Sequence, residues 1–299
     1  MSIAHEFNYE RPQNLHSVLE LKDSYRNKAF IYAGGTDLVV NIKEGLVKPE
    51  LLIDIKDLAE LHKLCLDNGT LYIGASVTFT ELIDTEFVKQ ACPMLHDACK
   101  TVASTGVRSR ATLAGNICSA VPSLDSATPL LCYQAVVHCA NTEGVRNIPI
   151  SEWFLAPRKT AIKDNEMVTG ISLKIPKETS TSVYLKLGRY GGEDLAQAGW
   201  GIWMNTANQY RIAHCALAPI PSRAALIEAL LNGKELSQEL IEAAVALIPN
   251  EINPITDIRS SKEYRLHVSG VMLKRGLLAA KDRLEGKEIE PAKLLGGIA

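Results

Sequence analysis

The chain holds 299 residues, room for two domains of the usual size of about 100 to 150 residues. With 22% charged residues and a formal net charge of -2 it lacks the basic excess that tracks a phosphate backbone, which argues against a nucleic-acid partner. No apolar run approaches the ~18 residues that cross a bilayer, and the opening MSIAHEFNYERPQN has neither a basic nor an apolar leader region, so a soluble, cytoplasmic protein with no membrane contact is expected.

Pro12 and Asn14 introduce NLHSVLELKDSY, where Leu15, Val18, Leu19 and Lys22 fall at helical spacing. AFIYA then reads as a short buried strand meeting Gly34 and Gly35, and LLIDI as a second, so the first 60 residues form a small αβ unit. TLYIGAS (70–76) is a further strand, and Thr78 with Glu81 gives a capping box that opens the helix TFTELIDTEF. PMLHDACKTVAS follows, with Met94, Leu95, Ala98 and Val102 on one face. After a break at Gly106 comes a second glycine-bearing segment, ATLAGNICSAVPSLDSATPLL, and then AVVHCA and GVRNIPI as strands paired across NTEG. MVTGISLKIP closes this part at Pro176, and KETSTS (177–182) is the linker. Strand-like SVYLKLGR, GWGIWMN and YRIAHCALAP then precede helices in AALIEALLNG, LSQELIEAAVALI and a long segment after Ser260 with Glu263 at the capping-box position. Strands followed by helices predict an α+β C-terminal domain over 182–290, behind a first domain over 1–176 that divides into subdomains at about residue 60.

Adjacent glycines after a strand open backbone angles closed to other residues and bare their N–H groups to a ligand. IYAGGTDL is therefore either an ordinary turn or a cradle for pyrophosphate; neither GxGxxG nor GxxxxGK[ST] occurs to make it a Rossmann or P-loop site. The second segment combines small residues (Ala114, Gly115), donors (Thr112, Asn116, Ser119, Ser123) and one carboxylate, Asp125, in a stretch nearly free of charge. Asp125 is either a turn former near Pro129 or the acceptor for a ribityl or ribose hydroxyl. The seven cysteines (65, 92, 99, 118, 132, 139, 215) are odd in number and scattered, as suits free thiols in a reducing compartment. CxxC, HExxH and a Cys-x4-Cys-x2-Cys set are all missing, and His96 with Cys99 reads as an ordinary helix face, so no metal is expected on this chain. No GxSxG anchors hydrolase chemistry. Lys186, with Arg189, Tyr190 and Asp194 just beyond, reads as a solvated edge strand or as a lysine that stabilises the charge of a reduced flavin. Tyr190, in RYGGEDL, covers a flat ring or packs at a turn.

The two glycine segments, 80 residues apart from Gly35 to Gly115, together resemble the FAD-binding subunit of the molybdenum hydroxylases, the xanthine dehydrogenase and carbon monoxide dehydrogenase family. The resemblance runs over nearly the whole chain, through FNYERPQNL, AGGTDL, LLIDIKDLAEL, IGASVTFTEL, RSRATLAGNICSAVPSLDSATPLL, KLGRY and SSKEYRLH, and looks closest to bacterial xanthine dehydrogenase FAD subunits. It implies an α+β protein: two subdomains clasping FAD in the vanillyl-alcohol-oxidase (PCMH) manner, then a C-terminal domain on an antiparallel sheet. It further implies that Ile31, Tyr32, Ala33, Gly34, Gly35, Thr36, Asp37 and Leu38 wrap the FAD pyrophosphate, and that Thr112, Leu113, Ala114, Gly115 and Asn116 form a second phosphate and ribityl loop. Asp125 matches an acidic ligand, Val102 and Val168 match apolar flavin contacts, and Lys186 matches a lysine near the isoalloxazine. Ala114 departs from the family's usual glycine, which requires an ordinary backbone angle there or an altered loop.

The function so implied is electron transfer within a molybdenum-containing oxidoreductase. A molybdopterin large subunit hydroxylates xanthine, another purine or a related N-heterocycle; [2Fe-2S] clusters on a small subunit relay the electrons; and FAD on this chain passes them to NAD+ or another acceptor. The assembly would be a hetero-oligomer, up to a dimer of heterotrimers or larger. A stand-alone flavin oxidoreductase and a flavin-free scaffold subunit are the alternatives.

Overall fold

The computed structural model describes residues 5–190 and 193–295. The chain opens with strand β1 (Asn8–Glu10), helix α1 (Leu15–Tyr25), β2 (Ala29–Tyr32), α2 (Leu38–Lys43) and β3 (Leu51–Asp54). Asn14 caps α1 by accepting from the Ser17 N–H at 2.9 Å, and Val18 and Leu19 turn inward as their spacing predicts. β1 and β2 both pair parallel with β3, giving the order β1-β3-β2.

The second unit contains β4 (Leu64–Asp67), β5 (Thr70–Gly74), helices α3 (Phe79–Asp84), α4 (Glu86–Ala91), α5 (Pro93–Thr101), α6 (Thr105–Arg108), α7 (Leu113–Ser119) and α8 (Ala127–Cys132), the hairpin β6 (Val136–Asn141) and β7 (Gly144–Pro149), a short β8 (Phe154–Ala156) with β9 (Lys159–Thr160), and β10 (Met167–Lys174). Five of these strands form an antiparallel sheet in the order β4-β5-β10-β6-β7. The Thr78 and Glu81 capping box is present, but the helix it opens stops at Asp84 and restarts at Glu86. Gly106 breaks nothing: it lies within α6, whose Ser104 cap accepts from the Val107 N–H.

The third unit is the antiparallel sheet β11 (Ser180–Leu187), β12 (Ala198–Asn205), β13 (Tyr210–Cys215) and β14 (Ser222–Arg223), covered by α9 (Ala225–Leu231), α10 (Gln238–Ala246), α11 (Ile248–Glu251) and α12 (Lys262–Leu284). β11 begins inside the stretch expected to be linker, because Ser180 to Ser182 already pair with β12. The cap of α12 is Ser261, one residue later than expected, which leaves Glu263 one position short of the reciprocal capping place.

Every residue of β12 is buried, because this sheet is packed on both faces. On one side Trp200, Ile202 and Met204 join a core with α9 to α12; on the other Tyr184, Trp203 and Ala213 belong to the core of the first two units. Gly201 makes the second contact close: a Cβ there would lie 2.7 Å from Met94 Sδ on α5 and 3.1 Å from Thr128 Cβ on α8. Ser182 Oγ accepts from the Met94 N–H at 3.1 Å and pairs with the Tyr133 hydroxyl at 2.8 Å, so the seam is hydrogen-bonded as well as apolar.

Candidate functional site

The first glycine segment spans three kinds of structure. Ile31 and Tyr32 end β2, Ala33 to Thr36 form the connector, and Asp37 and Leu38 open α2. Gly35 has φ +74, and a Cβ would fall 2.2 Å from the Tyr32 ring, so the tight turn itself requires glycine there. Gly34 serves a different purpose: its missing Cβ would lie 2.0 Å from the Arg110 carbonyl oxygen. The first loop thus rests directly on the chain that leads into the second, which joins the two subdomains.

The residues that the resemblance assigns to a second loop, Thr112 to Asn116, form the start of a helix. Thr112 is the N-cap of α7 and accepts from the Gly115 N–H at 3.0 Å, while Leu113, Ala114, Gly115 and Asn116 form its first turn. Ala114 is buried in helical backbone, the ordinary angle its methyl group requires. Thr112 bridges to Thr78, and the Phe79 N–H donates to the Ala111 carbonyl at 3.0 Å, fixing α7 against β5 and α3.

Where the two segments meet is a cleft of about 170 Å³, lined by Ala33, Gly34, Lys56, Ser76, Arg110 and Thr112 among others. Ser76 Oγ is buried there without a hydrogen-bond partner, a cost of about 1–3 kcal/mol unless a ligand or water satisfies it. Lys56 sits 3.6 Å over the Tyr32 ring and 2.6 Å from Asp54 Oδ2. Burial raises the Asp54 pKa, but hydrogen bonds from Lys56 and Tyr9 outweigh it and hold the carboxyl below its ordinary value. An unsatisfied hydroxyl and two cations are a donor set for phosphate oxygens.

A second group forms where α5 and the α7–α8 connection meet β11. Lys186 Nζ donates to Asp125 Oδ2 at 2.8 Å and to the Thr101 carbonyl at 2.8 Å, and the Tyr184 hydroxyl donates to Asp125 Oδ1 at 2.6 Å. Lys186 is therefore not a solvated edge residue; side-chain exposures are 9% for Lys186 and 7% for Asp125. Burial pushes the Asp125 carboxyl up, with Lys186 and then Tyr184 pulling against it. Val102 follows Thr101 at the end of α5, and its turn is clamped by Arg108, which donates to the Val102 and Ala103 carbonyls at 2.8 and 2.6 Å. Val168 is buried on β10, beside the Thr169 carbonyl that takes the Ala75 N–H at 3.0 Å.

Tyr190 is exposed, and of its RYGGEDL segment Gly191 and Gly192 lie outside the described residues. Asp194 accepts from the Arg189 N–H at 2.6 Å. His96 and Cys99 are a buried helix face, and no cluster of metal-ligating side chains occurs among the described residues. Sequence reasoning missed Lys56, Ser76, Arg110 and Tyr184; the first three lie inside motifs that were noticed, but only the fold turns them toward one cleft.

A cleft of this chemistry suits the pyrophosphate of a dinucleotide. Residues 5–178 match the model for the FAD binding domain in molybdopterin dehydrogenase, and residues 183–280 the CO dehydrogenase flavoprotein C-terminal domain. The putative xanthine dehydrogenase FAD-binding subunit of Escherichia coli (strain K12) is 30% identical over 87% of this chain and 91% of its own length. The carbon monoxide dehydrogenase medium chain of Hydrogenophaga pseudoflava is 30% identical over 92% and 96%. Among solved structures, carbon monoxide dehydrogenase of H. pseudoflava lacking the Mo-pyranopterin moiety matches with a TM-score of 0.90 at 30% identity, over 95% of this chain and 99% of that one. The chain belongs to the FAD-binding subunit family of the molybdenum hydroxylases.

Proposed function

We propose that this chain holds FAD at the seam of its first two units and serves as the outlet for electrons in a molybdenum hydroxylase. Residues 31–38, with Lys56, Ser76 and Arg110, take the pyrophosphate; Thr112 to Asn116 take the adjoining phosphate and ribityl atoms. Asp125 accepts from a cofactor hydroxyl, Val102 and Val168 bound the ring, and Lys186 tempers its charge. Bound FAD supplies the exchange of electrons in ones and twos. The chain's own residues bind, orient and shield it. The partners are a molybdopterin large subunit acting on xanthine, another purine or a related N-heterocycle, and a small subunit with [2Fe-2S] clusters; NAD+ or a similar acceptor takes the electrons.

The observation that carries this reading is the cleft between the two glycine-bearing segments, with an unsatisfied buried Ser76 hydroxyl and Lys56 and Arg110 at its wall. Pulling the tagged chain from its native host tests the assembly: molybdenum and iron should travel with it and with FAD, and NADH should bleach the flavin. A chain that purifies alone with active flavin, oxidising a heterocycle unaided, would replace this reading with a stand-alone oxidoreductase.

A further inference from the structure

Asp125 lies in the connection between α7 and α8, on a side chain whose terminal torsion is soft. Its two oxygens are nevertheless held from one strand, by Tyr184 and Lys186, which stand two apart and so point to the same face. Burial raises the Tyr184 pKa far above its ordinary value, so the phenol is neutral and its O–H donates to the carboxylate. The space for that hydroxyl is made deliberately: Gly199 stands opposite Lys186 in the register, and a Cβ there would lie 2.6 Å from the Tyr184 hydroxyl oxygen and 2.5 Å from Cys215 Sγ. Cys215 Sγ in turn lies 3.6 Å from the hydroxyl. Three adjacent strands of the C-terminal domain thus meet at the Tyr184 hydroxyl, which in turn holds one oxygen of the other domain's acid.

We propose that Tyr184 is a positioning residue for the flavin site: its hydroxyl, seated over Gly199, fixes the Asp125 carboxylate in the one orientation in which it meets a hydroxyl of the cofactor. The inference rests on Asp125 being a cofactor ligand. Tyr184 is fully buried, so it acts through Asp125 rather than on the cofactor. Tyr133 provides the contrast. It too is buried at the seam between domains and spends its hydroxyl on Ser182, two residues along β11, but it reaches no group of the site.

The test uses the full-length chain, stripped of flavin, with FAD affinity and the thermal midpoint of the apo form measured for each variant. Tyr184→Phe should weaken FAD binding by about ten- to a hundred-fold, the range typical when the partner that orients a ligand group is removed. Combined with Asp125→Asn it should add little to the loss from Asp125→Asn alone. Tyr133→Phe should lower the thermal midpoint and leave FAD affinity unchanged. If Tyr184→Phe does not fold, Gly199→Ala carries the same test, since its methyl group displaces the hydroxyl. A folded Tyr184→Phe or Gly199→Ala protein with wild-type affinity overturns the inference, as do losses that multiply in the double variant. Wild-type protein that takes up no FAD would remove the parent reading as well, an outcome distinct from tight binding by wild type and variant alike.

Discussion

Gly34 and Gly35 share a dipeptide but have separate physical reasons, and substitutions should separate them. Gly34→Ala puts a methyl group into the Arg110 carbonyl, 2.0 Å away. Backbone on both sides must yield, so the thermal midpoint should fall, by an overpacking cost of about 1–3 kcal/mol, together with FAD affinity. Equal stability and affinity in Gly34→Ala would show that the two loops are not pressed together. Lys186→Met removes the partner of a buried carboxylate and should cost about 3–5 kcal/mol, a loss largely recovered by adding Asp125→Asn. Chemical denaturation of the three variants checks this; a double variant as unstable as Lys186→Met would mean that the unpaired charge is not the cause. Composition and spacing did pick out Asp125 and Lys186, but in the sequence they stand 61 residues apart with nothing to couple them. Their pairing, and the place of Tyr184 behind it, required the fold.

At the level of elements, periodicity and capping signals identified α1, α3, α5 and the strands on both sides of the linker, because those segments obey local rules. The segment 112–132 was harder. It folds as α7 and α8 because Thr112 caps the first turn and buried neighbours hold the rest. α12 starts one residue later than expected because adjacent serines at 260 and 261 offer the same hydroxyl, and it is Ser261 that accepts from the Tyr264 N–H. His214 on β13 gives a pH test of the C-terminal sheet. Burial lowers its pKa from 6.5 to about 4. The unfolded chain therefore takes up a proton that the folded core refuses, so the contribution of His214 is complete above pH 6.5 and is lost as pH falls towards 4. The loss amounts to about 3 kcal/mol. Unfolding free energy should decline over that window, and His214→Asn should flatten the decline; an identical pH profile in the variant would acquit His214.

For the molecule as a whole, two cores share one sheet, and Gly201 of β12 decides how closely the FAD-binding part approaches it. Gly201→Val should push α5 and α8 off the sheet, splitting calorimetric unfolding into two transitions, whereas a single unshifted transition would show that the seam tolerates the bulk. No described helix is long and apolar enough to cross a membrane. The central claim is that this chain carries FAD, and the most direct measurement is the visible spectrum of the purified protein, followed by acid release and chromatography of any yellow compound. Oxidised-flavin bands with intact FAD released are the expected result. A colourless protein that also fails to take up added FAD would contradict the account and leave the glycine loops as structural joints alone.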